Sequence, residues 1–217
     1  MASFERLPAL HCEICGVPLP AARVKEGETL LCPECQHKTF AFDRARSFAV
    51  YQDAVVRAIL LLKFEQIEPL AEWFAARLAE EAQAEGEAMG ADVVVPVPLH
   101  RQREKERGYN QAALLSKPLA KRLRLPHKAV LLVRTRARPE QQILTLRERW
   151  ESVRGAFATR PGSQVDNKRV LLVDDVLTTG ATLDACARAL REAGAKAVIG
   201  LTVARAVRNP AAGSGEW

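Results

Sequence analysis

Arg169-Val-Leu-Leu-Val-Asp174-Asp175-Val-Leu-Thr178-Thr179-Gly180-Ala-Thr182 is the stretch whose reading decides the fold. Val170 to Val173 form an apolar run with no polar alternation, the pattern of a central strand covered on both faces. Asp174 and Asp175 fall where that strand is expected to end. A small, hydroxyl-rich turn follows, from Thr178 to Thr182. An amphipathic helix is expected over Ala181 to Ala193, stopped by Gly194, which tolerates positive φ just past the C-cap. Ala197 to Val203 reads as a second buried strand. Strand, helix and strand in about 35 residues make a βαβ unit, right-handed by the crossover rule. Ligands bind such units beyond the carboxyl ends of the strands.

The chemistry of the turn follows from its atoms. The first backbone N–H groups of a helix have no partner within it. Here they converge on one point, and the helix dipole favours negative charge there by roughly 0.3–2 kcal/mol. Gly180 admits close approach, and the hydroxyls of Thr178, Thr179 and Thr182 add donors, so the turn can cradle a phosphate. Asp174 and Asp175 would repel a phosphate. They suit the neutral hydroxyls of a sugar, or a Mg²⁺ bridging sugar and phosphates. Phosphate at one end and diol-binding carboxylates at the other describe a ribose 5-phosphate site. The bland alternative is a βαβ corner with its acids left in solvent. A Walker B strand is a third reading, but the G-x-x-x-x-G-K-[ST] partner it needs does not occur in the sequence.

The chain has 217 residues, enough for one sizeable α/β domain and a small module. No apolar run approaches the roughly 18 residues of a membrane span. Met1 to Leu10 lacks the charged and apolar regions of a secretory signal, so the cytoplasm is the expected compartment. Charge is uneven. Glu65 to Asp92 holds eight acids and one base, a net of −7, whereas Arg101 to Arg138 holds twelve bases and two acids, a net of +10. That basic middle should attract an anion, whether a phosphorylated metabolite or nucleic acid, although any single Lys or Arg in it is better read as solvated.

Near the N-terminus, Cys12-Glu-Ile-Cys15 and Cys32-Pro-Glu-Cys35 are separated by sixteen residues. This C-x₂-C-x₁₆-C-x₂-C spacing suits a tetrahedral four-thiolate zinc site. The piece between is too short for a core, and metal binding of roughly 10–16 kcal/mol in comparable peptides would hold it together. Disulfides are the alternative, disfavoured in a reducing compartment. His11 and His37 read as bystanders, and Cys186 as a small core residue. The expected organisation is a zinc ribbon over 1–44, an α/β domain over 45–208 and a disordered tail over 209–217.

Between these modules, Arg46 to Tyr51 reads as a strand, Ala54 to Phe64 as a helix with Asp53 as a cap, and Pro69 to Ala84 as a second helix. Ala91 to Pro96 is the next buried strand. It leads through a basic loop to Arg107-Gly108-Tyr109-Asn110-Gln111 and a helix over Asn110 to Leu123, with Asn110 as cap. Basic side chains and a Gly at a second strand-loop-helix corner suit a diphosphate, against the alternative of a merely exposed basic loop. Ala129 to Val133 reads as a third buried strand. A long arginine-rich loop then runs from Arg134 to about Ser152, and loops of that length are functional or disordered. Leu144 to Trp150 has fair helical propensity, so part of it can instead be helix.

Val170-Leu-Leu-Val-Asp-Asp-Val-Leu-Thr-Thr-Gly-Ala-Thr182 resembles the phosphoribosyl pyrophosphate (PRPP) loop of type I phosphoribosyltransferases. Pro96-Val-Pro-Leu-His100 followed by Arg107-Gly-Tyr-Asn-Gln111, behind an N-terminal four-cysteine ribbon, narrows the resemblance to the ComF family of competence-associated proteins. It spans Cys12 to about Arg205. The resemblance implies a type I phosphoribosyltransferase-like parallel sheet flanked by helices. It also implies PRPP as ligand, with Mg²⁺, and a structural Zn²⁺ on Cys12, Cys15, Cys32 and Cys35. Asp174 and Asp175 would be the catalytic pair, Val176 to Thr182 the 5-phosphate site, and Arg107, Gly108 and Tyr109 the diphosphate site. The long loop takes the place of the flexible lid, with Arg136, Arg138, Gln141 and Arg149. Gln141, Leu144, Glu148-Arg149 and Gly155-Ala156-Phe157 match family elements there, while Ile143 stands where Gly is usual and Ser152 where Asn is usual. Two functions follow from the resemblance. One is a role in DNA uptake during natural transformation, on the cytoplasmic side, with single-stranded DNA and a DNA-translocating helicase as partners. The other is an active Mg²⁺-dependent phosphoribosyl transfer to an unidentified acceptor. Few aromatic residues interleave the basic segment (Tyr109, Trp150), so a stacking platform for single strands is weakly drawn.

Overall fold

Four parallel strands form one sheet in the order β1 (Arg44–Val50), β6 (Ala197–Arg205), β5 (Arg169–Leu177), β2 (Val93–Pro96). The computed structural model describes residues 4–20, 29–137, 145–163 and 165–207. The expected tail, with Arg138 and Gln141 and much of the segment between the two cysteine pairs, lies outside these residues.

β5 lies between β6 and β2, as the unbroken run Val170–Val173 requires, and those four residues are fully buried. One face of the sheet is covered by α2 (Asp53–Phe64), α3 (Glu68–Ala84) and α5 (Gln111–Leu123), which pack on Leu171, Val173, Ile199, Leu201 and Val203. The other face carries α7 (Ala181–Glu192) over Val170, Leu172 and Val198. From Val170 to Val173 the side chains alternate between these two cores, as the period of two in a strand demands. α7 sits close to the sheet because residue 200 is glycine. A Cβ there would lie 2.0 Å from Leu183 Cδ2.

Several local expectations are corrected. β5 does not end before the acids but runs through them to Leu177, pairing Asp174 with Thr202 and Leu177 with Arg205. The 129–133 run does not join the main sheet. β3 (Leu132–Arg134) instead pairs antiparallel with β4 (Phe157–Thr159). The hairpin lies over the α7 face, where Leu132 and Phe157 are buried while Val130 is 59% exposed, so only part of that run faces a core. The basic loop after β2 contains a helix, α4 (Arg101–Arg107), which His100 caps by accepting from Gln102 N. The long arginine-rich loop contains α6 (Leu146–Val153), started by a capping box between Thr145 and Glu148. Asn110 caps α5 as expected, accepting from Ala112 N at 2.9 Å. Asp53 does not cap α2; the cap position is Gln52 and Asp53 is the first helical residue.

Candidate functional site

At the carboxyl end of β5 the chain turns sharply into α7. Gly180 occupies the N-cap with φ +81°, a conformation that a β-carbon disfavours. The backbone N–H groups of Thr178, Thr179, Gly180, Thr182 and Leu183 donate to no protein group among the described residues. Ala181 N is satisfied by Thr179 Oγ1, and Asp184 N closes the first helical bond on Gly180 O. Val176 to Thr178 and Gly180 to Leu183 line a small pocket there. Converging unpartnered amides at a helix start are an anion site.

Asp174 and Asp175 are both buried. As neighbours in a strand they point to opposite faces of the sheet, rather than standing together on a rim. Asp174 lies on the α7 face, and its negative charge, after burial itself, helps push the Cys186 thiol upward. Burial, and then the charge of Asp175, holds the Asp174 carboxyl well above the usual aspartate range. Asp175 lies on the α2 face, where Lys63 Nζ stands 2.6 Å from Oδ2. Apart from that ammonium, Oδ2 has no partner among the described residues. Burial opposes the charge on Lys63, but Asp175 outweighs it and raises the lysine. The other oxygens bond along the strand itself: Asp174 Oδ1 accepts from Asp175 N, and Asp175 Oδ1 from Val176 N, each at 2.9 Å.

The second corner, after β2, comes close to the first. Arg107 feels the charge of Asp175, although burial, then Arg103, lowers its pKa. Its guanidinium donates to Gln111 and lies 5.4 Å from the centroid of the Phe64 ring. Gly108, at φ +83°, ends α4 by donating to Glu104 O. The Tyr109 hydroxyl donates to Leu62 O and accepts from Gln66 N, fastening this corner to the end of α2. Of the three residues, Arg107 alone brings a positive charge to this corner, where it contacts Gln111 and the Phe64 ring. Asn110 ties the corner to β2 through Val97 O, 3.0 Å away. In the lid segment, Arg136 donates to Arg154 O at 2.7 Å and so braces the β3–β4 hairpin. Arg149 lies on α6, whose Trp150 ring meets Phe40.

At the N-terminal end, Cys12, Cys15, Cys32 and Cys35 are buried and unbridged, with all four Sγ atoms within 4.8 Å of one another. Tetrahedral zinc at about 2.3 Å from each sulfur needs sulfurs roughly 3.8 Å apart, and Cys15 and Cys32 are at 3.6 Å. Crowding drives Cys12 far down, chiefly through Cys15, and Cys35 far up, chiefly through Cys12. Four such sulfurs cannot ionise together without a cation, so the donor set fits zinc. This cluster also packs against the α/β domain. Ala45 N donates to Ile14 O at 2.6 Å, and Arg205 Nε donates to Cys15 O at 3.2 Å.

Two residues here have no motif to announce them. Lys63 ends an ordinary amphipathic helix, and nothing in the sequence marks it as the partner of Asp175. Arg205 is a charged residue closing the apolar run Ala197–Ala204, and that mismatch is a signal the sequence does carry.

A phosphoribosyl transferase domain model matches residues 110–212. The chain is 32% identical over 190 residues to the DNA utilization protein YhgH of Escherichia coli K12, covering 86% of this chain and 80% of that one. Competence protein F of Haemophilus influenzae is 35% identical over 116 residues, 53% of this chain and 51% of its own length. Competence protein ComFC of Bacillus subtilis is 36% identical over 107 residues, 49% and 41% respectively. Sheet, phosphate-type turn and domain match together define a phosphoribosyltransferase-type α/β protein with an N-terminal four-cysteine module. The chain belongs to the ComF family.

Proposed function

We propose that this protein binds PRPP at the carboxyl end of β5 and acts in DNA uptake, as the names of its competence relatives suggest for the family. The observation that carries the binding reading is the set of unpartnered amides from Thr178 to Leu183 beside two buried carboxylates. The 5-phosphate would sit on those amides, and Asp174 and Asp175 would accept from the ribose hydroxyls. Arg107 would face the diphosphate, with lid arginines closing over it and excluding water. Mg²⁺ would travel with the diphosphate, since an ammonium already compensates Asp175. Zn²⁺ on the four cysteines is structural. The cytoplasmic side of the membrane and a DNA-translocating helicase are the proposed setting and partner. Among the described residues, no helix is long and apolar enough to cross a membrane.

Phosphoribosyl transfer is a second reading, favoured by one observation. Phe64 is 65% exposed, and Arg107 lies 5.4 Å from its ring centroid, so an aromatic ring stands partly open beside the second corner. A planar acceptor could stack there, and pyrophosphate release from PRPP in the presence of nucleobases would report it. For binding itself, calorimetric titration with PRPP and Mg²⁺ is the test. Saturable heat is expected for the wild type, and a loss of at least about tenfold in affinity for Asp174→Ala/Asp175→Ala, each lost hydrogen bond to a charged group being worth about 1.5–3 kcal/mol. No heat with the wild type, or identical binding by the double variant, would contradict the reading.

A further inference from the structure

The phosphate turn and the four-cysteine module are far apart in sequence, yet one buried side chain touches both. Arg205, at the end of β6, is 5% exposed. Its Nη1 donates to Leu177 O at 3.0 Å, to Ala206 O at 2.8 Å and to Thr178 O. Its Nε donates to Cys15 O at 3.2 Å, and its Nη2 lies 3.9 Å from Cys15 Sγ. One planar guanidinium therefore holds the first carbonyls of the phosphate turn on one side and a cysteine of the metal cluster on the other. The fixed fork of arginine suits this, and a lysine could not span it.

Two further contacts reinforce the joint. The chain leaving the second cysteine pair places Phe40 and Phe42 against the turn, and a Cβ on Gly180 would lie 3.1 Å from the Phe40 ring. Ala41 N donates to Asp184 Oδ1 at 2.7 Å, in the first turn of α7. Phe40 also meets Trp150 of α6, and Lys38 lies over the same indole. The cysteine module thus forms the back wall of the turn whose front offers the free amides.

We infer that the metal-bound cysteine module braces the phosphate turn, with Arg205 as the positioning residue, so that zinc occupancy and sugar-phosphate affinity are linked. This rests on the PRPP-site reading and adds a dependence that reading does not contain. Without metal, the Cys12–Cys15 knuckle keeps only its backbone hydrogen bonds, such as Cys12 N to Val17 O at 2.8 Å and Ala45 N to Ile14 O at 2.6 Å, so Cys15 O is held less firmly and the anchor it gives Arg205 weakens. The turn carbonyls it orients then become free to rotate, and with them the amides of the next residues. Linkage is reciprocal, so a ligand on the turn must tighten zinc by the factor by which zinc tightens the ligand.

The test uses the zinc-loaded, full-length protein and ribose 5-phosphate, which carries the phosphate and diol without a diphosphate to chelate zinc. Zinc affinity is measured by competition with a chromophoric chelator, with and without saturating ribose 5-phosphate. The expected result is zinc held at least about fivefold more tightly with the ligand, the lower end of ordinary coupling. In Arg205→Gln and Arg205→Lys, which keep all four cysteines, ribose 5-phosphate no longer changes zinc affinity. A purely structural role would lower their melting temperature and leave the linkage intact, and that result overturns the assignment to Arg205. If neither variant folds, the wild-type comparison decides alone. Ribose 5-phosphate binding with zinc affinity unchanged overturns the inference and spares the site. No binding of either ribose 5-phosphate or PRPP overturns the site and the inference together.

Discussion

Asp174 is buried with Cys186 among its neighbours, and burial and Asp175 both favour its protonated form. Its folded pKa lies above the unfolded one, so the folded state holds this proton more tightly. The stability that this provides is complete below the unfolded value of 3.8 and is lost as pH rises through the folded pKa. Asp174→Asn removes the charge without changing the shape. The expected outcome is a melting temperature above wild type at pH 8, with the difference closing toward pH 4. An equal difference at both pH values would mean the carboxyl carries no such penalty. Asp175 behaves otherwise, because Lys63 faces it at 2.6 Å. At this scale the sequence was informative about which residue types gather at the corner and silent about their partners. Both carboxylates were legible as a pair, but a strand that continues to Leu177 turns them to opposite faces. Lys63 reaches Asp175 only through the packing of α2 on the sheet, a tertiary contact that no local pattern encodes.

Elements with strong periodicity or a clear cap were legible in place: β5, α7, β6, α3 and α5. Asn110 illustrates why. One side chain accepts from Ala112 N and donates to Val97 O, so it starts α5 and ties the second corner to β2. Asn110→Ala should cost about 1 kcal/mol for the cap, and more for the buried Val97 carbonyl left without its donor. A urea titration measures this, and an unchanged midpoint would deny the cap its role. The elements misread were short or weakly apolar. Residues 129–133 are as apolar as a sheet strand, but exposed Val130 lies in the turn before β3 and half-buried Val133 in the β3–β4 hairpin. α4 is charged throughout, so its cap at His100 is its local signal; α6 carries Leu146, Trp150 and Val153 at helical spacing, and the helical propensity of 144–150 already allowed it as the alternative to a loop. Such helices depend on context more than on pattern.

Across the whole molecule, charge is divided between elements. The acidic stretch is mainly α3, and the basic stretch spans α4, α5 and β3. Arg122 and Glu72 pair between them at 3.3 Å, in an exposed contact worth little. The remaining bases leave a field that suits a polyanion. Single-stranded DNA should therefore bind with log K falling linearly against log salt, by about 0.7 for each phosphate engaged. A flat salt dependence, or no binding at low salt, would remove nucleic acid from the direct ligands. The cysteine spacing made the four-cysteine cluster legible, but its seat against the turn before α7 was not, because Arg205 joins segments nearly the whole chain apart.

The central claim is that the amides from Thr178 to Leu183 receive the 5-phosphate. Titrating ¹⁵N-labelled protein with PRPP and Mg²⁺ measures those amides directly. The account predicts saturable shifts at Thr178, Thr179, Gly180, Thr182 and Leu183, larger than at helix starts elsewhere. Saturation of binding with those five resonances unmoved would contradict it.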